Sequence, residues 1–162
     1  FHIAWIDVLV RHFPDATFVQ THRDPIETIP SMASLYAATW RTNSDRVDPL
    51  EVGRQVIERW SWAMTRCLAS RDAGQEARFV DVLYEENRRD PMSGIARVYE
   101  KIGRPFTDEA REAMKQWGDE NRRDKRAAHD YSLEEFGYTR AQIESAYRDY
   151  RDRFIVGRAE TK

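Results

Sequence analysis

With 162 residues, 41% of them hydrophobic and 12% aromatic, the chain carries enough apolar side chain for one compact domain or a large piece of one, which excludes a disordered tail. Its 26 basic and 28 acidic groups nearly cancel, which excludes a general polyanion binder such as a duplex-DNA protein; any anion must be recognised locally. Arg supplies almost all of the positive charge, with Lys only at Lys101, Lys115, Lys125 and Lys162. A guanidinium fork suits bidentate phosphate recognition, and plain compositional bias gives the same count. The one cysteine, Cys67, allows neither an internal disulfide nor a two-thiol zinc or redox pair, which fits a reducing cytoplasm. No apolar run approaches the roughly 20 residues of a membrane-spanning helix, so the chain reads as soluble. It opens at Phe1 inside an amphipathic pattern, and N-terminal sequence is expected to be missing.

Ile3, Ile6, Leu9, Val10 and Phe13 stand at helical spacing until Phe13-Pro14-Asp15 breaks the pattern. Ala16 to Thr21 is β-branched and aromatic, bounded by Pro14 and Pro25, and reads as a buried strand. Asp24-Pro25-Ile26-Glu27 then offers an N-cap, a proline for the first helical position and a capping-box carboxylate. From Pro49 to about Ala73, the residues Val56, Ile57, Trp60, Ala63, Met64, Cys67 and Leu68 form one wide apolar stripe of a sheet-packed helix. Arg78 to Tyr84 is a second strand, and Asp90-Pro91 opens a helix running to about Ile102. After Gly103-Arg104-Pro105, Thr107 caps a helix from Asp108 to about Glu120, followed by a basic loop from Arg122 to His129. A last helix carries Ile143, Tyr147, Tyr150 and Phe154, and Trp40, Trp60, Trp62 and Trp117 read mostly as core or helix-packing residues. Strands alternating with crossover helices give an α/β chain with a parallel sheet covered by helices: a helix-rich piece with about two strands, and a single domain over residues 1–162.

In an open parallel sheet, ligands sit beyond the carboxyl ends of the strands, where helix N-termini attract anions. Thr21-His22-Arg23-Asp24-Pro25 is such a place, and Ser31 follows Arg23 by eight residues, so guanidinium and hydroxyl can share one phosphate. Pro30 costs on the order of 3 kcal/mol in a regular helix interior. Either the first turn is distorted to present Ser31 to a ligand, or the helix kinks around the core.

The run from Phe13 to Pro25, followed by Pro30-Ser31, resembles the 3'-phosphate-binding signature of sulfotransferases that use 3'-phosphoadenylyl sulfate (PAPS), in particular their bacterial branch. Phe79 to Asp90-Pro91 is similar to the family's strand ending in a tyrosine near the adenine, and Gly103-Arg104-Pro105-Phe106-Thr107 and Tyr131 to Gly137 match in order. The resemblance covers nearly the whole chain and implies a P-loop-type fold, with this chain as a C-terminal portion. It implies that Arg23 and Ser31 bind the 3'-phosphate, that Tyr84 lies near the adenine, and that Arg123 or Lys125 of the basic segment closes over that phosphate. The general base of cytosolic members lies upstream of the Arg-to-Ser motif, where His2 stands; His2 is either that base or an exposed bystander. His22 is expected to pack or orient beside the nucleotide, and His12 to lie on the surface.

Sulfuryl transfer needs an in-line acceptor, a base and cations about the leaving group, with no metal required. The acceptor is a hydroxyl or amine on a small molecule, carbohydrate or lipid, with Tyr36 and Trp40 as lining candidates. The family's glycine-rich 5'-phosphosulfate loop is not in this chain, whose seven glycines are scattered, so the chain alone is expected to be inactive. Two other readings stand beside this one: a kinase-like or non-catalytic nucleotide-binding relative using Arg23 for another phosphate, and a helical interaction module in which Arg23 and Ser31 are only caps.

Overall fold

A computed structural model describes residues 2–121 and 132–157. They group into two compact units, one of residues 2–16, 22–78 and 132–157, the other of residues 17–21 and 79–121.

In the first unit a 3-10 turn, His2–Trp5, leads into α1 (Ile6–His12), and both pack on α3. The long helices are α2 (Pro25–Arg41) and α3 (Pro49–Ser70). Each begins with an aspartate N-cap followed by proline: Asp24 Oδ1 accepts the Ile26 N–H at 3.0 Å and Asp48 Oδ1 the Leu50 N–H at 2.9 Å. Such caps satisfy donors that the first turn leaves unpaired, and proline there loses nothing. Beyond α3, Gly74 takes φ +102, turning the chain towards the second strand. The C-terminal part is a 3-10 turn (Glu134–Phe136), then α7 (Arg140–Ala146), α8 (Arg148–Arg151) and a wide helical turn, Asp152–Val156. The single last helix expected from the sequence is therefore interrupted. Tyr147, at φ −118 and ψ 21, leaves the helical region between α7 and α8.

The core of this unit follows the helical period. Ile29, Ala33 and Ala37 of α2 meet Val52 and Val56 of α3, and Phe136, Tyr138, Ile143, Tyr147, Tyr150 and Phe154 close over them. The chain passes close at Gly53: a Cβ there would stand 2.1 Å from the Phe136 carbonyl oxygen. The Tyr138 hydroxyl donates to the Gly53 carbonyl at 2.7 Å, which ties the same crossing. Burial pushes the Tyr138 phenol above its ordinary pKa, and burial does the same to Tyr147, helped by Tyr138 and Tyr150. Cys67 lies in the α3 stripe as expected and is fully buried.

The second unit holds the sheet, two parallel strands β1 (Phe18–His22, whose last residue belongs to the first unit) and β2 (Phe79–Leu83). β1 starts later than the expected Ala16, because the Ala16 N–H closes a turn onto the Phe13 carbonyl at 3.1 Å. It is also less buried than expected. Its residues alternate half-buried and exposed as far as His22, and Val19 is 50% exposed. Phe18 and Phe79 pack across the strands at 5.1 Å, and Val80 and Val82 are buried.

Three helices follow: α4 (Tyr84–Arg89), α5 (Pro91–Lys101) and α6 (Asp108–Glu120). α5 is capped by Asp90 and α6 by Thr107, as the sequence suggested. α4 has no apolar period to announce it. Its order of Glu85 and Glu86 before Arg88 and Arg89 suits the helix dipole. Trp117, in α6, is 65% exposed and so is not a core residue; Trp62, in α3, is 48% exposed but packs edge-on against Trp5 with ring centroids 5.9 Å apart, and Trp40 and Trp60 pack against the first unit's core. Among the described residues, no helix is long and apolar enough to cross a membrane.

Candidate functional site

The end of β1 delivers three consecutive residues to three different environments. His22 turns inward and is 1% exposed; its ring stacks on Phe154 with centroids 4.2 Å apart, and its Nδ1 lies 3.2 Å from the Tyr150 hydroxyl. Arg23, next along the strand direction, points the other way and keeps 29% of its side chain exposed. Asp24 caps α2 and also receives Arg151, whose Nε and Nη2 each stand 3.1 Å from one carboxylate oxygen.

Arg23 donates through Nε to Glu27 Oε2 at 2.8 Å and through Nη2 to the same oxygen. Glu27 is thus engaged by Arg23 in an i,i+4 pair. The consequence lies one turn further on. Positions four apart share a helix face, and Cβ atoms lean towards the helix N-terminus, so the half-buried Ser31 sits on the face that Glu27 and the Arg23 guanidinium already occupy. Glu27 is thus the link between the two: it bonds Arg23 and precedes Ser31 by one turn on α2. The helix runs through Pro30 without a break, and the ring is buried. The missing N–H leaves the Ile26 carbonyl without its i+4 donor, and burial of the ring supports the packing reading of that proline.

The other expected positions are dispersed. His2 is exposed in the turn that packs on α3. Tyr84 is half-buried at the first position of α4, directly after β2, in the second unit. Arg123 and Lys125 lie outside the described residues. His22 packs inward against Phe154, and His12 is exposed. Tyr36 and Trp40 are half-buried against the core. A mostly apolar groove of about 680 Å³ runs between α3 and the C-terminal part, past Leu50, Ile57, Phe136 and Tyr138; among the described residues, none of the candidate nucleotide residues lines it.

Sequence reading missed Arg151 and Arg71. Arg71 has a fully buried side chain held by Glu76 at 2.6 and 2.9 Å, with its guanidinium 4.8 Å from the Phe154 ring centre. Arg153 adds bonds to Asp72 at 2.7 Å and to Glu76 at 2.9 Å. A signal for Arg71 exists, since it continues the α3 stripe one turn beyond Cys67. For Arg151 there is none, because its partner lies 127 residues away.

Residues 1–108 match the model described as the sulfotransferase family. Over 103 residues the chain is 26% identical to omega-hydroxy-beta-dihydromenaquinone-9 sulfotransferase Stf3 of Mycobacterium bovis and of Mycobacterium tuberculosis, covering 63% of this chain and 26% of each relative. The chain thus spans about a quarter of the length of those curated relatives. Among solved structures, sulfotransferase STF9 from Mycobacterium avium aligns with a TM-score of 0.85 at 30% identity, over 96% of this chain and 40% of its own. Sulfotransferase STF1 from Mycobacterium tuberculosis H37Rv aligns with a TM-score of 0.77 at 30% identity, over 91% of this chain and 37% of its own. The fold is accordingly the α/β, P-loop-type fold of these enzymes, here helix-rich with two parallel strands. A family match across two thirds of the chain, with this strand-to-helix corner inside it, places the chain in the sulfotransferase family.

Proposed function

We propose that the protein containing this chain transfers a sulfuryl group from PAPS to an acceptor hydroxyl or amine, and that this chain supplies the 3'-phosphate-binding part. The observation that carries the reading is that Arg23, at the carboxyl end of β1, pairs with Glu27, which stands one helical turn before Ser31 on α2. A guanidinium and a hydroxyl there, beside the N-terminus of a 17-residue helix, form a donor set suited to a dianionic phosphate. Family membership favours this over a kinase-like relative.

In the reaction, the acceptor oxygen or nitrogen attacks sulfur in line with the bridging oxygen of PAPS. The new bond to sulfur forms as the bridging S–O bond breaks, the acceptor proton passes to a base for which His2 is the candidate, and 3',5'-ADP departs. Tyr84 would lie by the adenine, and Arg123 or Lys125 would close over the 3'-phosphate. The 5'-phosphosulfate would be held by a glycine-rich loop carried elsewhere in the complete protein, so the 162-residue chain alone is expected to be inactive. The scheme needs no metal, and a reducing cytoplasm suits the one cysteine. The relatives named for a hydroxylated menaquinone make a hydroxyl-bearing lipid our preferred acceptor class.

Arg23→Ala tests the site. In calorimetric titrations of the complete protein, it should weaken 3',5'-ADP about 10- to 100-fold, the worth of one or two charge-assisted hydrogen bonds, and 5'-AMP far less. Equal losses for both nucleotides would show that Arg23 does not read the 3'-phosphate.

A further inference from the structure

The two residues flanking Arg23 are both held by the same C-terminal segment. On one side, His22 is buried in a stack with Phe154 and in hydrogen-bond reach of the Tyr150 hydroxyl. On the other, Asp24 receives both arms of Arg151, at 3.1 Å each. Tyr150, Arg151 and Phe154 fall within one and a half helical turns, so a single short stretch grips the strand end from both sides. Arg151 is itself fixed. Its side chain is 15% exposed, and Glu144 of α7 approaches it at 3.4 Å.

The arrangement has two physical effects on Arg23. Asp24 Oδ1 is shared between the Ile26 N–H and Arg151, so the carboxylate cannot swing away from its cap without breaking a bidentate pair. Arg151 also neutralises the one carboxylate adjacent in sequence to Arg23, a charge that would otherwise oppose an incoming phosphate. We propose that Arg151 is a positioning residue for the 3'-phosphate site: it holds the β1–α2 corner so that Arg23 is presented in one orientation, and it cancels the Asp24 charge beside the ligand. The proposal rests on the reading of Arg23 given above.

The test uses the complete protein with Arg151→Ala, Arg151→Lys, Asp24→Asn and the double variant Asp24→Asn/Arg151→Ala, titrated with 3',5'-ADP and 5'-AMP. Arg151→Ala should raise Kd for 3',5'-ADP about 10-fold and for 5'-AMP less than about 2-fold. Lys should restore only part of this, since an ammonium cannot make the paired contact. The double variant should bind 3',5'-ADP no worse than Arg151→Ala alone, because its effect runs through Asp24. Amide hydrogen exchange at residues 22–26 should accelerate in Arg151→Ala and in Arg151→Lys, the variant kept in case the alanine protein does not fold. Unchanged 3',5'-ADP affinity alongside an Arg23→Ala protein that has lost it would overturn the positioning role and leave the phosphate reading intact. Unchanged exchange at residues 22–26 would equally overturn it. If Arg23→Ala itself spares 3',5'-ADP, the phosphate reading falls first and takes the positioning role with it.

Discussion

The two units are built on different principles. Every residue of the large apolar cluster belongs to the first unit, where α2, α3 and the C-terminal segment enclose it. The second unit buries Val80, Val82 and Gly94 and little else among its described residues; none of α6 is buried. Burying an aliphatic or aromatic side chain contributes about 1.5–3 kcal/mol, so the stability of the described residues is concentrated in the first unit. The strand ends share the contrast. Where β1 enters α2, His22, Arg23 and Asp24 each have partners within the first unit; where β2 enters α4, no side chain caps the helix. The densely built side is the one that carries Arg23 and Ser31, where we propose that the 3'-phosphate is held.

The comparison can be broken most directly by truncating one side chain from each unit. Ile143→Ala should cost about 2–5 kcal/mol in denaturant unfolding, as a fully buried aliphatic residue does, whereas Trp117→Ala should stay within about 0.5 kcal/mol despite losing far more atoms. Comparable losses would mean that the second unit has a core the burial pattern does not reveal. Next in size, Gly53→Ala should destabilise by about 1–3 kcal/mol, because the new methyl meets a backbone carbonyl that cannot yield alone. A neutral result would show the α3 crossing to be loose.

Tyr147→Phe runs the other way. Among the described residues its hydroxyl is buried with no hydrogen-bond partner, so removing the oxygen should leave stability unchanged or raise it by up to about 1 kcal/mol. Clear destabilisation would expose a partner for that group. The smallest effect is expected on the first unit's surface. Hydrogen bonds from Arg54 and Gln55 hold the exposed Glu51 carboxyl down at about 2 from an ordinary 4.5. A carboxyl lowered on folding adds stability that is complete above its unfolded value and is lost as pH falls from about 4.5 to about 2. Glu51→Gln should therefore shift the acid-unfolding midpoint only slightly, and not at all in high salt. A large shift would move weight from the core of the first unit to its charges.

Legibility followed the range of the interaction. The caps at Asp24, Asp48, Asp90 and Thr107 lie within three residues of the donors they satisfy, and proline follows the three aspartates, so all four helix starts were readable. The Arg23-to-Ser31 spacing was visible for the same reason. Glu27 was visible too, with two local partners open to it, the N-cap backbone and Arg23, and its pairing with Arg23 is read only from three-dimensional placement. Which face of α6 meets the core is set by other elements, so Trp117 could be read as buried from composition and still lie open. The Arg151–Asp24 pair joins positions 127 apart and leaves no trace in either neighbourhood.

Cys67 has one further use. It is the chain's single cysteine, it is wholly enclosed on the buried face of α3, and it belongs to the first unit. A thiol reagent reaches such a sulfur only during openings of the surrounding structure, so its labelling rate in native buffer measures how often that unit opens. No tag or engineered probe is needed. Substitutions in the first unit should change the rate in step with their effect on stability, while loosening confined to the second unit should leave it where it was.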